Sequence, residues 1–259
     1  DKKYREQYTN HLLASLKYSF IYNTQNVKNG NDFFYLRSNF ESSGVIMDFL
    51  SQTLGYGKHI GDYNTLFNIR YAQYLRTDID FRYYHYLDQD KTLIFRSLFG
   101  IGLPYGNSDA LPFEKGFYAG GANGMRGWPI RTLGPGGYDD TGEEGYDKIG
   151  DIQLEFNTEY RFPIYRFFEG ALFVDAGNIW LLNKSKDYPK GHFDFDSFLK
   201  QLAVDAGFGL RLDFQFFTLR VDAAIPFRQP AESVGDRWRG FSAMRSGNVF
   251  WNFGIGYPF

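Results

Sequence analysis

The sequence predicts an all-β protein, an antiparallel transmembrane β-barrel, and three observations support this prediction. Aromatic residues make up 20% of the 259 residues, yet the mean hydropathy is only −0.41. Polar and apolar residues alternate with a period of two through long stretches of the chain. Tight turns and long connections separate these stretches. In a membrane barrel alternate side chains face lipid and a watery lumen, which explains a composition both aromatic-rich and polar.

The alternation predicts about ten strands in one barrel domain that covers residues 1–259. The strands are expected near residues 11–23, 32–41, 63–76, 78–87, 91–103, 149–162, 168–180, 201–214, 216–227 and 248–259. Arg76-Thr77-Asp78 and Phe214-Gln215-Phe216 are predicted as tight turns. The long connections are 42–62, 104–148, 181–200 and 228–247, and residues 48–54 in the first of them indicate a short helix.

Three strands show the alternation most clearly, and this predicts which face each side chain occupies. The polar or small residues expected to face the lumen are Asp151, Gln153, Glu155, Asn157, Glu159 and Arg161, then Ala203, Asp205, Gly207, Gly209, Arg211 and Asp213, then Thr218, Arg220, Asp222 and Ala224. Apolar residues such as Phe156, Phe208 and Leu219 take the alternate positions and are expected to face lipid. A charge at every second position would be costly in the shared core of a soluble sandwich.

Composition excludes several other classes of protein. The formal net charge of −2 and the pI of about 6.1 give no sign of a nucleic-acid partner. The chain has no cysteine, which excludes disulfides and thiolate metal sites, and it has no apolar run of about 18 residues that would form a membrane helix. Residues 1–5 do not resemble a signal peptide, so an export signal is expected upstream. No cofactor or metal is predicted, because the four histidines lack metal-site spacing; they are His11, His59, His85 and His192.

The connection 104–148 contains a glycine-rich segment, Gly120-Gly121-Ala122-Asn123-Gly124-Met125-Arg126-Gly127-Trp128. Read alone, it indicates an exposed loop, and it lacks the Gly-Lys-Ser/Thr ending of a phosphate-binding loop. Two further segments are unusual. Residues 173–180, Phe-Val-Asp-Ala-Gly-Asn-Ile-Trp, place the carboxylate of Asp175 within an apolar strand. Residues 253–259 form an alternating strand that ends in Phe259.

Together these segments resemble the bacterial surface-antigen superfamily of outer-membrane barrels, which includes BamA- and TamA-type assembly factors and two-partner secretion transporters. The resemblance covers residues 115–259 by motif and the earlier strands by pattern only. The hallmark of the superfamily is an Arg-Gly-aromatic tip on the sixth extracellular loop, matched here by Arg126, Gly127 and Trp128. Met125 and Trp128 replace the Val and the Phe or Tyr of the commonest members, and the spacing from Arg126 to Asp175 suggests a short or absent insertion after the loop. These departures favour a TamA-like branch.

The resemblance also implies the surroundings of this tip. It implies that residues 104–148 are the extracellular loop that folds into the lumen, and that Arg126 pairs there with Asp175 and Glu159. The alternation independently places Glu159 on the lumenal face. Barrels of the superfamily have sixteen strands with this loop between the eleventh and twelfth, so five predicted strands on each side imply strands seven to sixteen. The first six strands and the periplasmic POTRA domains are expected outside this chain.

The function that the resemblance implies is non-enzymatic assembly, insertion or translocation of proteins at the bacterial outer membrane. The expected partners are outer-membrane lipid, unfolded outer-membrane proteins, and periplasmic POTRA domains or accessory subunits. In the superfamily the last strand pairs imperfectly with the first, which leaves a seam that opens sideways for a substrate strand. In this chain the predicted seam and C-terminal recognition signal comprise Trp251, Phe253, Gly254, Gly256, Tyr257 and the terminal Phe259. Trp251, Phe253, Ile255 and Tyr257 are expected to point outward, and the two glycines to weaken the edge.

Two alternatives remain open at this stage. The same barrel is also suited to be the anchor or exit pore of one dedicated partner, such as a secreted adhesin or a fused lipase. A ten-stranded outer-membrane protease is the other alternative, with His85 and Asp88 or Asp90 at its rim. The second alternative leaves the glycine-arginine loop unexplained, because a ten-stranded lumen is too narrow to house it.

Overall fold

A computed structural model describes residues 9–26, 31–53, 55, 57–139, 148–214, 216–240 and 246–259. The strands are β1 (Ser15–Asn23), β2 (Phe33–Ser43), β3 (Gly57–Ile60), β4 (Tyr63–Leu66), β5 (Ile69–Arg70), β6 (Tyr74–Tyr86), β7 (Thr92–Pro104), β8 (Ile152–Tyr165), β9 (Phe168–Trp180), β10 (Ala203–Asp213), β11 (Thr218–Arg228) and β12 (Phe250–Ile255). Helix α1 (Val45–Thr53) follows β2, and 3-10 turns lie at Phe113–Lys115, Phe198–Gln201 and Ser246–Asn248. The predicted all-β, antiparallel architecture is confirmed.

Nine of these strands form one antiparallel sheet in the order β1-β2-β6-β7-β8-β9-β10-β11-β12, and β3, β4 and β5 form a small separate sheet. Sequential neighbours pair throughout the large sheet, as in an up-and-down barrel. Within the described residues, β1 and β12 are its two edges. Four strands of this sheet precede the connection 104–148, so the numbering that the superfamily implies would begin at the eighth strand rather than the seventh.

The predicted strands 63–76 and 78–87 and the turn between them are wrong. Residues 74–86 form the single strand β6, and residues 63–66 belong to the small sheet. The polar run Arg76-Thr77-Asp78 resembles a turn in sequence, but Arg76 and Asp78 both point into the lumen, where they form a 2.9 Å salt bridge. β10 ends at Asp213 and β11 begins at Thr218, but Gln215 of the turn predicted between them lies outside the described residues. The helix expected at 48–54 is present as α1.

The two faces of the sheet differ as the alternation predicts. On the inner face of β8, Glu155, Asn157 and Glu159 are buried, whereas the outward Phe156 is 43% exposed. The same contrast separates buried Asp205 and Arg211 of β10 from outward Phe208. A sheet that buries charge and exposes aromatic rings has the polarity of a membrane barrel wall.

The connections of the large sheet fall on two rims of different character. Short connections follow β6, β8 and β10 on one rim, whereas the connections that follow β7, β9 and β11 on the other rim are long. Because β2 runs toward the rim with the long connections, α1 lies on that rim as well. In the described part of the chain, no helix is both long enough and apolar enough to cross a membrane.

Candidate functional site: a loop tip buried against the barrel wall

Residues 122–127, here called the loop tip, form hydrogen bonds with side chains of six neighbouring strands. Four strands donate to backbone oxygens of the loop tip: Arg96 of β7 to Asn123 (3.2 Å), Asn157 of β8 to Gly124 (3.1 Å), Arg220 of β11 to Ala122 (2.9 Å) and Asn252 of β12 to Arg126 (2.9 Å). The other two strands accept from it. Asp175 of β9 accepts from Arg126 Nε (2.8 Å), and Asp205 of β10 accepts from Gly127 N (2.9 Å). Six adjacent strands reach one hexapeptide only if the sheet curls around it. The loop tip therefore lies inside the curved sheet rather than on the surface.

The Arg126 guanidinium is the centre of this arrangement, and its side chain is completely buried. Nε and Nη2 donate to the two carboxylate oxygens of Asp175 at 2.8 and 2.9 Å, a bidentate pair. Nη1 donates to Glu159 Oε2 at 2.5 Å. The guanidinium also lies 3.4 Å from the centroid of the Phe173 ring, a cation–π contact. The structure thus brings the three residues Arg126, Asp175 and Glu159 into contact.

Further arginines extend the charged cluster across the wall. Glu159 also accepts from Arg211 (3.2 Å) and Arg161 (2.7 Å), and Asp222 pairs with both Arg211 and Arg220. Arg211 and Asp222 are completely buried. Such charges are costly to bury singly, and here each one lies against charges of opposite sign. The cluster joins the loop tip to four successive strands, β8 to β11.

Asp205 is a site residue that the sequence motifs did not reveal. It lies directly opposite Asp175 in the β9–β10 pair and is completely buried. Its Oδ2 accepts the Gly127 amide hydrogen, so it holds the residue next to Arg126 in place. The alternation did place Asp205, Arg211 and Asp222 on the lumenal face, but spacing alone does not show which lumenal residue meets a distant loop.

The glycines of the loop let its backbone approach the wall closely. A Cβ on Gly127 would lie 2.6 Å from Asp205 Cβ, and one on Gly124 would lie 2.7 Å from Glu155 Oε2. Gly120 and Gly121 have φ values of +102° and +92°, which side chains disfavour. Trp128 then turns away from the charges. Its ring belongs to a buried apolar cluster with Met125, and its Nε1 donates to Gln229 Oε1 at 2.9 Å.

Replacing Gly127 by alanine is expected to loosen the loop tip, because the new methyl group would require the backbone to move away from Asp205. Overpacking of this kind costs about 1–3 kcal/mol. The measurement is the urea midpoint of the protein in detergent micelles. Gly235→Ala is the matched control, since a Cβ there meets no atom within 4 Å. Equal midpoints for the two variants would contradict the close approach.

The C-terminal residues are placed partly as predicted and partly otherwise. Trp251 and Phe253 point outward, with exposed fractions of 63% and 73%. Tyr257 was also expected to point outward, but it lies on the inner side, where its hydroxyl donates to Glu169 Oε2 of β9 at 2.9 Å and its ring lies 4.1 Å from the Arg161 guanidinium. β12 ends at Ile255 rather than continuing to residue 259. Gly256 adopts a φ of +82°, and Phe259 is buried on the inner side, where Arg161 donates to its backbone oxygen at 3.3 Å. The alternation of β12 stops at the Gly256 turn, and Tyr257 and Phe259 both turn to the inner side as a result.

Gly254 has a role that its sequence position did not suggest. It lies opposite Arg220 in the β11–β12 pair, and a Cβ there would lie 2.6 Å from Arg220 Nε. The glycine therefore leaves space for the guanidinium that donates to the loop tip. The predicted weakening of the β12 edge would be a second effect of the missing side chain at Gly254.

The rim site expected from the protease alternative is not assembled. His85 Nδ1 lies 2.6 Å from Asp32 Oδ2, whereas Asp88 pairs with Lys91 at 2.8 Å. The hydrogen bonds from His85 and Tyr83 lower the pKa of Asp32 to about 2. In the described ranges, no three His, Cys, Asp or Glu residues are grouped so as to hold a metal ion.

Comparison with known proteins supports the identification suggested by the loop tip. The model of the Omp85 superfamily domain matches residues 2–259. The outer membrane protein assembly factor BamA of Neisseria meningitidis serogroup B (strain ATCC BAA-335 / MC58) is 34% identical over 99 residues, which are 36% of this chain and 12% of that protein.

Two solved structures are similar in outline. BamA from Haemophilus ducreyi lacking POTRA domains 1–3 gives a TM-score of 0.49 at 15% identity, over 93% of this chain and 52% of that one. CdiB from Acinetobacter baumannii gives a TM-score of 0.38 at 13% identity, over 94% and 41%. The chain thus spans about half or less of the relatives it matches. Its match to the family model over nearly its whole length shows that it belongs to the Omp85 superfamily of outer-membrane β-barrel proteins.

Proposed function

We propose that this chain is the barrel portion of a factor that assembles, inserts or translocates proteins at the outer membrane. It would act through a lateral seam at β12 and through the loop anchored in its lumen. The observation that carries the proposal is the completely buried Arg126, bound to both Asp175 and Glu159. A surface loop has no need for such an anchor, whereas a barrel that must keep a loop inside while its wall opens does.

The geometry of β12 supports a seam at this edge. β12 has six residues, against eleven in its partner β11, so it offers a short ladder of backbone hydrogen bonds. An exposed strand edge is able to add a further strand by β-augmentation. Asn252 of β12 donates to the backbone oxygen of Arg126, which ties this edge to the loop tip directly. Movement of this edge would therefore break or lengthen the hydrogen bond from Asn252 to Arg126.

The partners follow from this mode of action. An unfolded outer-membrane protein would present the strand that pairs with the edge, and lipid would meet the aromatic outer face. Periplasmic POTRA domains or accessory subunits would deliver the substrate to the rim with the short turns. Assignment to a TamA-like branch stays a prediction based on Met125 and Trp128.

Depletion of the full-length parent in its native bacterium tests the proposal. Quantitative proteomics of purified outer membranes should show a fall in several unrelated β-barrel proteins. A gene copy with the wild-type sequence should restore them. Loss of one secreted or surface partner alone would instead indicate a dedicated exit pore. An unchanged outer-membrane proteome would contradict both functions.

A further inference from the structure

Helix α1 directs three of its five large apolar side chains outward and two polar side chains, Asp48 and Ser51, toward the protein, unlike a helix on a water-exposed surface. Val45, Ile46 and Phe49 are 58%, 47% and 65% exposed. On the opposite side, Ser51 is buried, and Asp48 Oδ1 accepts a 2.7 Å hydrogen bond from Tyr71 OH. The helix therefore leaves Val45, Ile46 and Phe49 exposed in the folded chain, while Met47 and Leu50 are half-buried.

This orientation is fixed by the contacts of the polar side. The Tyr71 side chain is completely buried, and burial together with its hydrogen bond to Asp48 raises the pKa of Tyr71 to about 12. The phenol accordingly remains a donor at neutral pH. On the next turn Ser51 lies against β3, where a Cβ on Gly57 would fall 2.1 Å from Ser51 Oγ. Rotation of the helix to hide Phe49 would break both contacts.

Helix α1 directly follows a strand of the lipid-facing wall of the barrel. Tyr18 of β1 and Phe40 of β2 lie opposite each other and are 67% and 48% exposed. Leu16, one step nearer the rim with the long connections, is 68% exposed. β2 ends at Ser43 and α1 begins two residues later, so the helix lies at the end of this wall that carries the long connections.

We propose that α1 is an in-plane membrane anchor, with Val45, Ile46 and Phe49 inserted into the outer leaflet of the outer membrane beside the β1–β2 wall. Acyl chains are the occupant that we assign to this surface, because its large exposed side chains are apolar and the helix directly follows a strand of the lipid-facing wall. The exposed polar residues of the helix, Gln52 and Thr53, lie at its C-terminal end. The anchor would fix the depth at which the connection from β2 to β6 sits in the membrane. This inference depends on the outer-membrane location and not on the proposed function.

The absence of cysteine from this chain permits a direct test by site-directed spin labelling. The full-length parent, without other cysteines, carries Phe49→Cys or Ile46→Cys and is reconstituted into vesicles of phosphatidylethanolamine and phosphatidylglycerol. Phe81→Cys, outward on β6, provides the lipid-facing reference, and Lys58→Cys, exposed on β3, provides the water-facing one. Power saturation compares collision of each nitroxide with oxygen and with a water-soluble nickel chelate. A heat-modifiable gel shift checks that each variant is folded.

Labels at Phe49 and Ile46 are expected to match the Phe81 label, with high oxygen collision and several-fold less nickel collision than at Lys58. Nickel collision equal to that at Lys58 would place the helix in water and overturn the proposal. Shielding from both reagents would also overturn it, because another protein segment would then cover the helix. The two labelled positions test the same surface independently, so a folding defect in one variant leaves the other decisive.

Discussion

Replacing Arg126 by alanine is expected to lower the free energy of unfolding by about 3–5 kcal/mol, the largest effect of any single substitution in the loop. The change leaves the carboxylates of Asp175 and Glu159 buried without their common partner, which costs more than the contacts themselves contribute. It also removes the side chain that stacks on Phe173. The loop tip should then leave the wall, and the proposed anchoring function should be lost.

Two measurements check this expectation in the full-length parent. Urea unfolding in micelles reports stability, and labelling of Ala122→Cys by a membrane-impermeant maleimide on intact cells reports whether the loop tip has become accessible. Arg239→Ala is the matched control, because its 3.0 Å salt bridge with Glu232 lies on an exposed surface. Exposed pairs of that kind contribute about 0–1 kcal/mol. If both arginine variants behaved alike, Arg126 would not be the anchor.

Arg126→Lys separates charge from shape at the same position. Lysine keeps the positive charge but lacks the planar fork that binds both oxygens of Asp175. An intermediate urea midpoint, between those of the wild type and Arg126→Ala, is therefore expected. A lysine variant as stable as the wild type would show that charge alone holds the loop tip.

Sequence reasoning predicts the position of a residue where one physical rule governs that position. It fails where contacts between distant segments of the chain determine the position. The two-faced alternation of β8, β10 and β11 follows from lipid on one side and water on the other, so Glu159 could be placed on the lumenal face in advance. The polar residues of β6 obey the same rule. In sequence, however, Arg76, Thr77 and Asp78 form a run of three polar residues, which is typical of a turn, whereas in the structure Arg76 and Asp78 pair inside the lumen.

The charged cluster around the loop tip was only partly foreseeable. Asp175 was identifiable because a carboxylate within an apolar strand requires a partner. Asp205 and Asp222 look like ordinary lumenal residues in sequence, since nothing local shows that a loop about eighty or more residues away will reach them. The inward course of Phe259 likewise depends on the turn at Gly256 and on Arg161, a residue of a distant strand.

The second large effect is expected from a double-mutant cycle between Arg126 and Asp175. Arg126→Met should be strongly destabilising, because it leaves Asp175 facing Asp205 across the β9–β10 pair without a guanidinium nearby. Asp175→Asn alone should also destabilise, because it takes from Arg126 its bidentate acceptor. The double variant removes one charge of each sign, so it should be more stable than the sum of the two losses predicts, by about 0.5–3 kcal/mol.

The cycle distinguishes two explanations of how the loop tip is held. A control cycle pairs Arg126→Met with Glu232→Gln, an exposed site outside the cluster, and should be additive within about 0.3–0.5 kcal/mol. A coupling confined to the first cycle would mean that charge compensation inside the wall retains the loop. Additivity in both cycles would shift that role to the neutral backbone contacts, in which Asn157 and Asn252 donate to Gly124 and Arg126. In that case the loop would be held by hydrogen bonds that include the β12 edge itself, and opening of the seam would release it directly.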